Sequence, residues 1–194
     1  MTRPLACLIA LTLSTAASAA QGPVDLFFGD LRVQGGAMDN GIGGNLGITF
    51  GDIGGFSRGY VDTGYILGLR GVSGSHVTAV VDGNADDKED FNLLGIQTVA
   101  GVGISPKYGD HVEILAGYGT GMNSLSGKVA DVGNDGRYDQ WLLEFGYYHT
   151  LANNFQVGAT FGYTWTTVEF TNSGVDITGR ANGFNVAGSL GYRL

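Results

Sequence analysis

Residues 155–166 read Phe155-Gln156-Val157-Gly158-Ala159-Thr160-Phe161-Gly162-Tyr163-Thr164-Trp165-Thr166. Phe155, Val157, Ala159, Phe161, Tyr163 and Trp165 share one parity, and every residue of the other parity is polar or glycine. A side-chain period of two belongs to a β-strand. One face is apolar and aromatic while the other is polar or bare. That is what a membrane barrel wall needs, since its outside meets lipid and its inside meets water or a polar plug. A soluble sandwich shows the same alternation, so the rest of the chain must discriminate.

The pattern recurs in both directions. Towards the end, Phe184, Val186, Gly188, Leu190, Tyr192 and Leu194 alternate with Asn185, Ala187, Ser189, Gly191 and Arg193 up to the last residue. Upstream, Trp141, Leu143, Phe145 and Tyr147 alternate with Gln140, Leu142, Glu144, Gly146 and Tyr148. Val112, Ile114, Ala116 and Tyr118 alternate with His111, Glu113, Leu115, Gly117 and Gly119. Earlier outward faces are Leu94, Ile96, Ala100, Val102 and Ile104; Val61, Tyr65, Leu67 and Leu69, opposed by Asp62, Gly64, Gly68 and Arg70; and Leu46, Ile48 and Phe50. A first strand near Val24 to Gln34 turns Asp30, Arg32 and Gln34 inward. These make eight strands, close to the roughly 9–11 residues a tilted strand needs to cross a bilayer. His76 to Val81 is taken as an extension of the preceding strand beyond the membrane, bulged around Gly71 to Gly74. Counted separately it leads to the alternative of ten strands.

Composition points the same way. The 194 residues include 35 glycines and 11% aromatics but only 14% charged residues, where soluble proteins carry about a quarter. Few charges fit a surface largely facing lipid. The net charge of −8 argues against nucleic acid as a partner. Arg3, the apolar stretch Leu5 to Leu13 and the small residues Ala17-Ser18-Ala19 have the layout of a secretory signal, giving a signal peptide over 1–19 and one barrel domain over 20–194. No later window approaches about 20 apolar residues, so membrane insertion would use strands. The one cysteine, Cys7, lies within the signal, so no disulfide is expected afterwards.

Connection lengths fit a barrel with its end on the periplasmic side, where turns are short. Gly51 to Arg58, Pro106 to Asp110 and Leu151 to Asn154 fall inside. The longer Gly71 to Asp90, Met122 to Arg137 and Glu169 to Ala181 fall outside.

The mature chain resembles the small outer-membrane barrels typified by OmpA transmembrane domains and OmpX. The most specific match is the end: Gly188, Tyr192 and Leu194 look like the terminal signal read by the barrel-assembly machinery, with Leu in place of the commoner Phe. The resemblance implies an all-β, transmembrane, antiparallel up-and-down barrel in the bacterial outer membrane. It implies insertion by that machinery after export, and no particular activity.

The inward positions carry Asp30, Arg32, Asp62, Arg70, Glu113, Glu144 and Arg193, with Gln97, Gln140, Gln156 and His111. Opposite charges in a narrow lumen read as a hydrogen-bonded plug, because an unpaired buried charge costs several kcal/mol and eight strands enclose little more than their own side chains. The alternative is a narrow porin-like channel. Asp82 to Asp90 starts like a calcium loop but puts Asp87 where the turn glycine belongs and Leu93 at the twelfth position, so no metal site is expected. It reads as a solvated acidic loop near the cations of lipopolysaccharide, as does Asp131 to Asp139. None of His76, His111 and His149 shows the His-x-Ser pattern of lipid A deacylases, so neither catalysis nor a cofactor is expected. A lipid-modifying enzyme and a soluble periplasmic barrel remain the other readings. Trp141, Tyr147, Tyr163, Trp165 and Tyr192 suit interfacial girdles. The leading expectation is a non-enzymatic envelope barrel among outer-membrane lipid and lipopolysaccharide, with its external ligand open.

Overall fold

The alternating segments form eight strands in a computed structural model, which describes residues 27–38, 41–53, 62–81, 88–107, 110–125, 136–172 and 175–194. They are β1 (Phe27–Met38), β2 (Gly41–Ile53), β3 (Asp62–Val81), β4 (Lys88–Lys107), β5 (Asp110–Leu125), β6 (Gly136–Thr150), β7 (Phe155–Asn172) and β8 (Val175–Arg193). Each pairs antiparallel with the next, and β1 pairs with β8, so the sheet closes on itself. The architecture is an all-β, antiparallel up-and-down barrel, with eight strands rather than ten.

The register sets the slant of the wall. Directly opposed residues lead from Asp30 through Thr49, Gly68, Val99, Gly117, Leu142 and Thr164 to Gly183. Asp30 itself faces Arg193, ten residues further along β8. With a rise of ~3.3 Å per residue and strands ~4.8 Å apart, that stagger tilts the strands about 40°.

Apolar residues lie outside and polar ones inside. Trp141, Leu143, Phe145 and Tyr147 on β6, and Phe155, Val157, Phe161 and Trp165 on β7, are exposed. Gln140, Glu144, Gln156, Thr160 and Thr164 between them are buried. From Phe155 to Trp165 is ~33 Å of strand, which at this tilt rises ~25 Å, the height of a lipid-facing band. Exposed Arg137 and Asp139 bound it at one edge. At the other, Tyr147 Oη donates to Asp110 Oδ1 at 2.9 Å and His149 Nδ1 lies 2.6 Å from the same oxygen. Rings gather at both edges: Tyr118 with Trp141 at 5.0 Å and Tyr163 with Trp165 at 4.8 Å on one, Phe155 with Tyr192 at 5.5 Å on the other.

The wall is uneven in height. β1 and β2 have 12 and 13 residues, whereas β3 and β4 have 20 each. β1 leaves β8 after Ala37↔Val186, and β2 leaves β3 after Ile42↔Ser75. Above this short hairpin β3 pairs directly with β8 through Val80↔Arg180 and Val81↔Gly179. Eight strands thus surround the lower lumen and six form a collar above it. β3 turns inward at a bulge between Gly74 and Val77, where His76 adopts a left-handed φ of 56°. An extra residue there increases local twist and bends the strand across the gap. Inside the collar pack Val77, Ala79, Phe91, Leu93, Tyr138, Val168, Phe170 and Ala181.

Several expectations are corrected. β1 starts at Phe27 among the described residues and continues past Gln34 to Met38. The bulge lies at Ser75 and His76, beyond Gly71 to Gly74, because that is where the β1–β2 hairpin ends. Two of the three long outer segments, Gly71 to Asp90 and Glu169 to Ala181, are mostly wall: β3 runs to Val81, β7 to Asn172, and β8 begins at Val175. Connection length therefore does not distinguish the two ends, since 54–61 is longer than 173–174. What distinguishes them is the raised collar. Asp139, expected in an acidic loop, sits outward on β6 and accepts from Tyr118 Oη at 2.6 Å. Val24, Val61, the signal segment and residues 82–87 and 131–135 lie outside the described residues.

A charge in the middle of the band should be costly and one above it tolerated. Phe161→Arg is expected to lower unfolding free energy in lipid by ~2–4 kcal/mol, and Glu169→Arg by ~1 kcal/mol or less. Urea titration of the refolded barrel monitored by tryptophan fluorescence measures both.

Candidate functional site

Strand alternation turns Asp30 and Arg32 of β1 into the same lumen as His111 and Glu113 of β5. Arg32 is the centre. Its Nη1 donates to Glu113 Oε2 at 2.8 Å and its Nη2 to Glu113 Oε1 at 2.7 Å, a bidentate pair. Nη2 also reaches Asp30 Oδ2 at 2.6 Å, and Nε donates to Gln156 Oε1 at 3.1 Å. The guanidinium carbon sits 3.9 Å from the centre of the Tyr148 ring. His111 stacks on that ring at 5.2 Å and places Nε2 3.1 Å from Glu113 Oε1. Arg193 of β8 closes the group from the rim, with Nε 3.0 Å from Asp30 Oδ1.

Two cations face two anions here, and Arg32, Asp30 and Glu113 are at most 3% exposed. Charge-assisted bonds of this geometry offset the desolvation of buried ions only when the lone pairs and protons are all used. Asp30, His111 and Glu113 bring potential ligand atoms within 4.8 Å of one another, a spacing open to a metal ion. Arg32 already supplies the cation there, lying against both carboxylates. Bulk is accommodated by glycines on neighbouring strands: a Cβ on Gly191 would meet Arg32 Cγ, and one on Gly158 would meet the Tyr148 ring.

A second pair lies higher. Arg70 Nη2 and Nη1 donate to Glu144 Oε1 and Oε2 at 2.8 and 3.1 Å. Amides connect the levels: Asn45 donates to Gln34 at 2.7 Å and Gln34 to Tyr148 Oη at 2.9 Å. Beyond Arg70, Gln97 donates to Gln140 at 3.2 Å and Gln140 to Thr166 at 2.9 Å. Ile66, Val99, Leu115 and Leu142 form an apolar stripe down the wall of β3 to β6. Above all of these stands the collar core.

Of the residues expected to form one lumen network, Asp30, Arg32, Glu113 and Arg193 come together, and Arg70 with Glu144 makes a separate pair. Asp62 opens β3 opposite Ser105, and its side chain lies outside the described residues. Gly188, Tyr192 and Leu194 all face outward and are exposed. Tyr148, the ring beneath Arg32, was legible as an inward residue, but parity cannot show which cation it meets. The apolar collar was missed altogether. Its one signal is that Leu93 beside Leu94, and Val168 and Phe170 beyond the band, put apolar residues on the inward parity.

Breaking the pairs should expose their asymmetry. Arg70→Met leaves Glu144 buried without its partner and is expected to cost ~3–5 kcal/mol. Adding Glu144→Leu should restore most of that, since an apolar pair of similar volume replaces a buried ion pair at little net cost. Unfolding titrations of the single and double variants, refolded in the same lipid, measure the difference.

No family model matches the chain, and no curated protein does. Among solved structures, a major outer membrane protein from Thermus thermophilus is similar at 11% identity, with TM-score 0.43 over 87% of this chain and 99% of its own. Ail, the attachment invasion locus protein of Yersinia pestis, is similar at 15% identity, with TM-score 0.42 over 87% of this chain and 97% of its own. Likeness at this level says nothing about activity.

Proposed function

We propose that this chain is an integral barrel of the bacterial outer membrane with a closed lumen, serving the envelope as a structural surface protein and not as an enzyme or a pore. The apolar band about 25 Å tall, edged by rings and charges, supports the membrane placement. The observation that carries the closed-lumen reading is the Arg32 cluster. It joins residues of β1, β5, β6, β7 and β8 at the periplasmic end of the lumen. Moving an ion through it would require breaking several buried charge-assisted bonds at once. The apolar collar closes the other end, where an ion would have to shed its water.

The same reading covers what surrounds the barrel. Outer-membrane lipid and lipopolysaccharide are its solvent. The outward row Gly188, Tyr192 and Leu194 is the signal for the barrel-assembly machinery, reached after export and removal of a leader over 1–19. The acidic outer connections are the surface available to external partners. At the rim, His149 is held by Asp110 against Tyr147, an arrangement that anchors an interface without requiring a substrate.

Single-channel recording of the refolded protein tests this. The wild type is expected to show no steady conductance. Glu113→Ala and Arg70→Ala, which remove plug members, are expected to produce at most brief openings, because the collar still closes the far end. A steady wild-type conductance altered by either substitution would establish a narrow channel instead. Lipid A extracted from cells overproducing the protein is expected to be chemically unchanged.

A further inference from the structure

Outward residues of β6, β7 and β8 stand together at the collar edge of the lipid-facing band. The row nearest the band is Trp141, Trp165 and Asn182, each directly opposed to the next across the strands. Above it lie Asp139, Thr167 and Arg180, and above those Arg137, Glu169 and Thr178. Both indoles are exposed, and the sequence has no other tryptophan. At a membrane interface an indole keeps its ring among acyl chains and its N–H at the level of the headgroups. The two rows above the indoles therefore meet headgroups.

Those rows carry binding groups. Arg137, Asp139, Glu169 and Arg180 are exposed, and Thr167 among them is half-buried. Glu169 stands opposite Arg137 and diagonal to Arg180, yet among the described residues neither arginine takes part in a salt bridge. Asp139 is already oriented, accepting from Tyr118 Oη at 2.6 Å. With strands ~4.8 Å apart and a rise of ~3.3 Å per residue, the two arginine Cα atoms are about 12 Å apart on one face. Two long side chains at that separation can converge on one group seated over Thr167, and a guanidinium takes phosphate oxygens two at a time. An exposed ion pair between Arg137 and Glu169 contributes little and leaves Arg180 and the indoles unexplained. From the bilayer outward the face offers apolar rings, then a hydroxyl, then two cations interleaved with two carboxylates. A phospholipid headgroup uses the cations and leaves the carboxylates opposed to its own charge. A phosphorylated sugar uses both, because its phosphate pairs with guanidinium and its hydroxyls donate to carboxylate.

We propose that this outward face of β6, β7 and β8 binds the phosphorylated sugar headgroup of an outer-leaflet glycolipid. Arg137 and Arg180 hold its phosphate, Asp139 and Glu169 accept from its hydroxyls, and its acyl chains lie along Trp141 and Trp165. The proposal rests on the membrane placement above and turns general contact with lipid into one molecule bound at a named place. Flotation of the refolded protein with vesicles reports that placement separately from binding, so the two can fail apart.

Both tryptophans lie in the site, so their emission reports its occupancy. The full chain, refolded into phosphatidylcholine vesicles, is titrated with lipid A carrying both phosphates while the emission is followed. Half-saturation is expected at a mole fraction about tenfold lower than for the same lipid stripped of phosphate, the effect of one charge-assisted bond. The same margin is expected over phosphatidylglycerol, which has a phosphate and no sugar. These comparisons need no variant. Arg137→Gln and Arg180→Gln should each weaken lipid A binding about tenfold, and Arg180→Lys, which keeps the charge and loses the fork, should weaken it less. Heat-modifiable gel migration verifies that each variant is folded. Inorganic phosphate at millimolar concentration is expected to leave the lipid bound. Equal half-saturation for lipid A with and without its phosphates, for lipid A and phosphatidylglycerol, or for the wild type and the double glutamine variant would overturn the proposal. Displacement by inorganic phosphate would overturn it as well, assigning the arginines to the free ion.

Discussion

Hydrocarbon offers a peptide group nothing to bond with, and that constraint shapes the whole molecule. Within the band every backbone N–H and C=O must find its partner in the sheet, so no edge strand can be left open. The closure here is brief. β1 and β8 share eight residue pairs, from Asp30↔Arg193 to Ala37↔Val186, against eighteen between β7 and β8. Meeting after a stagger of ten residues sets the tilt, and the tilt makes β7's outward row as tall as the lipid-facing band.

Closure by a short β1–β2 hairpin has a further consequence. The other six strands rise beyond it and must close again, which they do by joining β3 to β8. Six strands enclose a narrower ring than eight, and a narrow ring standing above the band can be filled by a dry core such as Phe91, Tyr138 and Phe170. In the wider part, inward bulk is limited to what the curvature allows, and large polar groups fit because glycines lie beside them. The lumen is consequently layered: ions at the lower end, amides and hydroxyls in the middle, apolar side chains on top.

Arg32 is what makes the lower layer more than a lining. Its three guanidinium nitrogens reach β1, β5 and β7, its flat face rests on β6, and Asp30 carries the link on to Arg193 of β8. Opposite walls are tied across the axis by bonds that carry charge on both sides. Buried ions of this kind contribute specificity of arrangement as much as net stability. Both the tied lower lumen and the amide level above it follow from this layering.

Much of the fold was legible because a strand writes its environment at every second residue. The parity of Phe155 to Trp165, of Trp141 to Tyr147 and of Phe184 to Leu194 sufficed for strand identity, the direction each face points and the barrel class. It also placed Asp30, Arg32, Glu113, Glu144 and Arg70 inside. Parity stops short of pairing, since which inward carboxylate meets which arginine depends on the stagger, and the stagger is decided only when β1 meets β8. For the same reason Arg32 could not be joined to Glu113, 81 positions away, nor Arg70 to Glu144. The collar was hidden because its outward residues, such as Thr78 and Glu169, are polar. Above the lipid a strand has no reason to be apolar outside, so its sequence looks like a loop. The residues by themselves determined a strand wall with lipid on one side and charge on the other. Tertiary closure alone decided the charge partners and the six-stranded top, because each depends on strands brought together from opposite ends of the chain.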